Sequence, residues 1–169
     1  LLTLNQIEFG NNQVNMERFD ITEMIRNMVE SSKILVEKQG VTIIFDEPEM
    51  HVWADEFMIE EVVNNYLSNA RNHVTDGGII KVSYCQNGNN LRVKVFNTGN
   101  HIPKEDIDKL WVKFYKVDKA RTREYGGSGI GLSIVEATMK AHGRDYGVAN
   151  VEGGVEFYFE VESADSQTV

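Results

Sequence analysis

The 169-residue chain has one cysteine, two prolines and no excess of basic charge. Cys85 alone can form no internal disulfide and no thiolate-built metal cluster, and it reads as a small residue on a strand. Acidic residues outnumber basic ones 26 to 17, a formal net charge of -9, which argues against a broad basic face for DNA or RNA. A phosphate-bearing small molecule stays possible, because one phosphate site needs only local donors and a metal. No apolar run approaches the roughly 18 residues needed to span a bilayer. Leu1-Leu2-Thr3-Leu4 lacks the basic flank of a signal peptide. The chain opens mid-pattern and without Met, as expected of a piece of a longer sequence. Its 41% hydrophobic and 25% charged residues are those of an ordinary globular protein, and the length suits one domain with a core.

Periodicity organises that domain. Leu1, Leu4 and Ile7 mark the tail of a helix ended by Gly10-Asn11-Asn12. Asp20 with Glu23 has capping-box spacing, and Ile21, Ile25, Met28, Ser32 and Leu35 continue as a helical stripe to Gly40. Val41 to Phe45 and His51 to Trp53 read as strands, expected to pair as a hairpin across Glu47-Pro48-Glu49. Asp55 can cap a helix whose apolar face runs from Met58 to Ala70. Ile79 to Cys85 and Leu91 to Phe96 alternate as strands around Asn87-Gly88, a hairpin signal. A short helix spans Glu105 to Leu110, and a mobile loop is expected over Lys116 to Gly129. A last helix begins near Ile130, and a hairpin through Gly153-Gly154 closes the chain. Antiparallel pairs dominate. The expectation is an α+β, two-layer α/β sandwich, with a mixed, mostly antiparallel sheet and helices on one face.

Three polar features interrupt this pattern. Asn65 and Asn69 are one helical turn apart, on the edge of an apolar face. Amide oxygens are hard, neutral ligands suited to Mg²⁺, although from spacing alone a solvated pair is the simpler account. Gly126-Gly127-Ser128-Gly129-Ile130-Gly131-Leu132 could wrap backbone N–H groups round phosphates, or act as a hinge. It is neither a dinucleotide fingerprint nor a P-loop, because no strand leads into it and no Gly-Lys-Ser/Thr follows. Asn97-Thr98-Gly99-Asn100-His101-Ile102-Pro103 suits a planar base against backbone, or a simple turn. Lys113, Lys116, Lys119, Arg121 and Arg123 form a local basic rim, or a solvated loop. The four histidines, at 51, 73, 101 and 142, sit at no spacing that suggests zinc. His51 reads as structural, and His142, at a helix end, as a cation favoured by the dipole.

The order of these features resembles the catalytic and ATP-binding domain of bacterial sensor histidine kinases, within the group that includes gyrase B and Hsp90. Asn65-Tyr66-Leu67-Ser68-Asn69-Ala70 is similar to the N box, Asn97 to Pro103 to the first glycine box, Leu110 to Tyr115 to the F box, and Gly127 to Leu132 to the second glycine box. The nearest flavour is that of Gram-positive, membrane-bound sensors of vancomycin or cell-wall stress. The resemblance implies ATP or ADP with Mg²⁺ as ligands. Asn69 would hold the metal and Asn65 support it, with Asn72 and His73 facing phosphates and ribose. Asn97, Gly99 and Ile102 would hold the base. Lys116, Arg121, Gly127, Ser128, Gly129, Ile130, Gly131 and Leu132 would close on the phosphates, with Arg121 on the one transferred. Three positions depart from the pattern. Asn97 stands where Asp is usual, His101 where Gly is common, and Asn72 where Lys or Arg is frequent. Arg71, Arg121 or Lys119 could supply the missing phosphate contact.

The resemblance further implies phosphoryl transfer to a histidine on a separate helical domain, and a response regulator downstream. None of the four histidines is followed by an acceptor motif, so the chain by itself is expected not to autophosphorylate. The implied division is a remnant of the dimerisation and phosphotransfer helix with its linker at 1–15, the catalytic domain at 16–162 and a flexible tail at 163–169. The fragment would be a monomeric cytoplasmic domain of a homodimeric membrane protein. The alternatives are a gyrase- or Hsp90-like ATPase using Glu61 to activate water, a Ser-directed anti-sigma-type kinase, or a protein-binding module.

Overall fold

The computed structural model describes residues 13–112, 115 and 131–165. The order is β1 (Glu17–Asp20), α1 (Ile21–Val36), a 3₁₀ turn (Glu37–Gln39), β2 (Thr42–Phe45), β3 (His51–Ala54) and α2 (Glu56–His73). Then come β4 (Ile79–Asn87), β5 (Asn90–Thr98), α3 (Lys104–Ile107), α4 (Gly131–His142), β6 (Tyr146–Val151) and β7 (Gly154–Ser163).

The capping signals act as their chemistry requires. The Asp20 side chain accepts from the Glu23 N–H at 2.9 Å and starts α1. Asp55 accepts from the Met58 N–H at 3.1 Å and starts α2. Gly40, in the left-handed region at φ 67°, ends the 3₁₀ turn. The buried stripe of α1 is Ile21, Ile25, Val29, Ser32 and Val36, whereas Leu35 is 65% exposed. Val36 lies seven residues on from Val29, two turns along the same stripe, whereas Leu35 falls about 100° round the helix from it.

The sheet runs β1-β3-β7-β5-β4-β2, with β6 also on β7. All pairs are antiparallel except β2 with β4. The helices form the second layer on one face, giving the mixed two-layer sandwich. The expected β2–β3 hairpin does not form. Thr42 to Phe45 pair in parallel with Ile79 to Val82, while β3 joins β1 and β7 at the far side. Residues 46–50 instead cross between the two sides, bonded to other elements. Thr22 Oγ1 donates to Pro48 O at 2.8 Å, and Ile21 N–H donates to Met50 O at 3.1 Å. Glu47 accepts the Tyr84 N–H at 2.9 Å. Pro48 sits in a stretch without the Asn-Gly chemistry that makes a tight return.

The core lies between sheet and helices. Tyr66 is 1% exposed, lies against Phe157 and Phe159, and donates its hydroxyl to Tyr158 O at 2.8 Å. Trp111, in the F-box-like stretch, meets Tyr146 edge-on at 5.0 Å and Phe157 at 6.0 Å. On β7, Glu160 is 3% exposed and is paired with Arg92 at 2.7 Å and Asn87 at 2.9 Å. His142 corrects the expectation of a dipole-stabilised cation. Its Nδ1–H donates to Thr138 O at 2.9 Å, which leaves Nε2 to accept the Asp55 N–H at 3.1 Å. An acceptor nitrogen must be neutral, and burial lowers the imidazole's proton affinity further.

Candidate functional site

The site is built around α2, whose apolar face packs on the core and on α4. At its edge Asn65 is half-buried and donates Nδ2 to Glu61 O at 2.8 Å. That bond orients the amide and turns its oxygen, an acceptor, toward Gly131. Gly131, at the start of α4, lies against it. A Cβ there would sit 2.6 Å from Asn65 Oδ1, so a larger residue at this position would have to push the Asn65 amide aside. Leu132 is half-buried beside the core. Asn69, one turn on, is half-buried, as is Asn72. His73 ends the helix and is exposed.

The base-side loop reaches the same helix. Gly99 has φ 155°, and a Cβ on it would stand 2.9 Å from His73 O. Both the dihedral and the contact demand glycine. Asn97 is 3% exposed and donates Nδ2 to Thr98 O at 3.2 Å. A buried amide held through its nitrogen offers its oxygen as the acceptor. Thr98 in turn ties the loop to the end of α2 through Thr75 N–H to Thr98 O at 3.1 Å, and to β4 through Ile79 N–H to Thr98 Oγ1 at 3.0 Å.

The other side of the loop is clamped by a residue that the motifs did not indicate. Asn150 accepts the Ile102 N–H at 2.8 Å and donates to Ile102 O at 2.9 Å. An Asn within a strand has poor β-propensity, and that is the one sequence signal that could have marked it. His101 bonds Val151 O at 2.7 Å through Nε2, so its ring anchors the loop to the β6–β7 hairpin. Arg71, offered by its position as a phosphate contact, is engaged with α1 in this structure. It projects toward α1 and donates to Ser32 Oγ at 2.7 Å, with burial lowering its proton affinity.

The structure therefore brings Asn65 to Gly131 and Asn97 and Gly99 to the His73 end of α2. These residues fit a magnesium–nucleotide ligand: Asn65 and Asn97 are each held through the amide nitrogen, a Cβ on Gly99 would meet backbone, and one on Gly131 would displace the Asn65 amide oxygen. Lys116, Arg121, Gly127, Ser128, Gly129 and Ile130 lie outside the described residues, as do Lys113, Phe114, Lys119, Arg123 and the helix expected over Leu1 to Phe9.

Residues 54–165 match the family described as histidine kinase-, DNA gyrase B-, and HSP90-like ATPase, and the chain belongs to that family. It is 33% identical over 157 residues to the sensor histidine kinase WalK of Bacillus subtilis, covering 90% of this chain and 26% of that protein. It is 30% identical over 146 residues to the sensor protein VanSB of Enterococcus faecalis, covering 86% of this chain and 33% of that protein. The chain thus spans about a quarter to two fifths of the length of the curated relatives it matches. The nucleotide-free catalytic domain of histidine kinase ThkA superimposes with a TM-score of 0.76 at 28% identity, covering 88% of this chain and 95% of that one. The fold is that of histidine kinase catalytic domains. Among the described residues, no helix is long and apolar enough to cross a membrane.

Proposed function

We propose that this chain binds Mg-ATP and donates the γ-phosphoryl group to a histidine on a separate helical domain, within a two-component pathway that ends at a response regulator. The observation that carries this reading is the convergence on α2 of segments far apart in sequence: Gly131 against Asn65, and Gly99 with Asn97 at His73. Asn69 holds the metal through its amide oxygen, and Asn65 supports it. The bound Mg²⁺ would neutralise phosphate charge. Asn97 accepts from the amino group of adenine, and Ile102 and Gly99 shape the base cleft. The described residues position and orient the nucleotide, and acid–base chemistry is not asked of them. By the resemblance of their motif, Arg121 and Lys116 would contribute the basic phosphate contacts. The module works in the cytoplasm, where ATP is, as part of a dimeric membrane-bound sensor.

Calorimetry with ADP and ATP, with and without Mg²⁺, tests this. Asn69→Ala should remove the Mg²⁺-dependent part of ATP affinity, and Asn97→Ala should weaken both nucleotides. With labelled ATP, phosphohistidine should form only when a helical acceptor domain is supplied in trans. No nucleotide binding, or stable phosphohistidine on this chain alone, would refute the reading.

A further inference from the structure

We propose that Asp20, Glu49 and His51 form a binding site for a divalent transition-metal cation of the Zn²⁺ type, apart from the nucleotide site. The three are scattered in sequence, and strand pairing assembles them. Asp20 stands directly opposite His51 in the β1–β3 register. Glu49 precedes His51 by two residues, so in extended chain it points to the same side. One ligand atom from each lies within 4.8 Å of those of the other two.

The spacing is that of separate ligands, not of a closed hydrogen-bond network. His51 Nδ1 is 3.8 Å from Glu49 Oε2 and 3.9 Å from Asp165 Oδ2, beyond hydrogen-bond length. Two ligands at tetrahedral zinc distances stand roughly 3.3 Å apart, so the Glu49–His51 pair at 3.8 Å is close to that spacing, and the whole set, within 4.8 Å, closes on an ion by side-chain rotation. The means of closure is present: the Glu49 side chain is 72% exposed and free to swing, while His51 is held in β3. Its N–H donates to Asp165 Oδ2 at 2.6 Å, and its carbonyl accepts the Ala164 N–H at 2.8 Å. Asp20 spends Oδ1 on the α1 cap and keeps its second oxygen. Arg18 lies 3.6 Å from Asp165 Oδ1 and partly neutralises that carboxylate, which leaves Asp20 and Glu49 as the charged ligands. One imidazole with two carboxylates favours zinc-class ions over Mg²⁺, which prefers oxygen alone. The bound ion would staple β1 to the crossing segment 46–50, on elements that carry none of the nucleotide residues.

The test uses the 169-residue chain, stripped by chelator and free of nucleotide, in excess Mg²⁺. Zn²⁺ is followed by calorimetry and melting temperature, and Co²⁺ by visible absorption. The expected result is one equivalent bound in the micromolar range, a higher melting temperature and a tetrahedral Co²⁺ band. His51→Ala should abolish all three. Glu49→Gln, at an exposed side chain whose loss cannot unfold the protein, should weaken binding by on the order of tenfold or more. No binding to the wild type, or equal binding to wild type and both variants, overturns the proposal.

Discussion

Gly131→Ala separates the site from the fold. The new Cβ would sit 2.6 Å from Asn65 Oδ1 and 3.4 Å from its Cγ, whereas ordinary contact begins at 3.4 Å. The amide oxygen must retreat by about 0.8 Å, since steric repulsion rises steeply inside contact distance. Rotation of the amide strains or breaks its 2.8 Å bond to Glu61 O, a loss of about 1 kcal/mol. It also turns the acceptor away from the metal side. Against this, alanine is favoured over glycine in a helix by up to about 1 kcal/mol, and Gly131 opens α4. Overall stability should therefore stay within about 1 kcal/mol of wild type by urea unfolding. Mg-ATP affinity by calorimetry should fall about tenfold, which corresponds to about 1.4 kcal/mol, with Mg²⁺-free ADP less affected. Unchanged Mg-ATP affinity in a folded variant would refute the argument. So would a collapse in stability of several kcal/mol, which would make the approach a packing contact alone.

Arg92→Met removes the charged partner of buried Glu160 and leaves it Asn87. Breaking a buried pair on one side should cost about 3 kcal/mol in urea unfolding, with nucleotide affinity kept if the folded population is kept. Tyr66→Phe deletes the 2.8 Å bond to Tyr158 O without opening a cavity, and should cost about 1 kcal/mol by the same measurement. His142 makes stability pH-dependent. Burial lowers its folded-state pKa below the ordinary 6.5, so the unfolded chain binds more protons in the interval between. Its contribution is complete above 6.5 and is lost as pH falls through the lowered value. Urea unfolding between pH 8 and 5 should show this decline in the wild type and a shallower one in His142→Ala. Equal slopes would remove the group from the account.

Local rules are carried by neighbouring residues, and those parts were legible. Asp20 and Asp55 cap the helices that their spacing indicated, because a cap reaches only its own first turn. Asn87-Gly88 turns its hairpin with Gly88 at φ 62°. Asn65 and Asn69 share a helix face by periodicity alone, and the glycine boxes were visible as composition. The sandwich followed from the element order.

Long-range partners were not legible, because strand pairing and side-chain direction depend on what the rest of the chain leaves open. Adjacent strands Thr42–Phe45 and His51–Ala54 looked like a hairpin, yet they pair at opposite sides of the sheet. Arg71 looked available for phosphate, but its position on α2 aims it at Ser32. His142 looked like a cation until Asp55 supplied an N–H that only a neutral ring can accept. Asn150 had no motif, and its clamp on Ile102 exists only because β6 and the base-side loop end side by side. The sequence by itself determined the helix that carries the amides and the glycines that could approach it. Tertiary structure decided which glycine meets which amide, and which histidine meets which carboxylates, because those distances are set by packing and not by spacing along the chain.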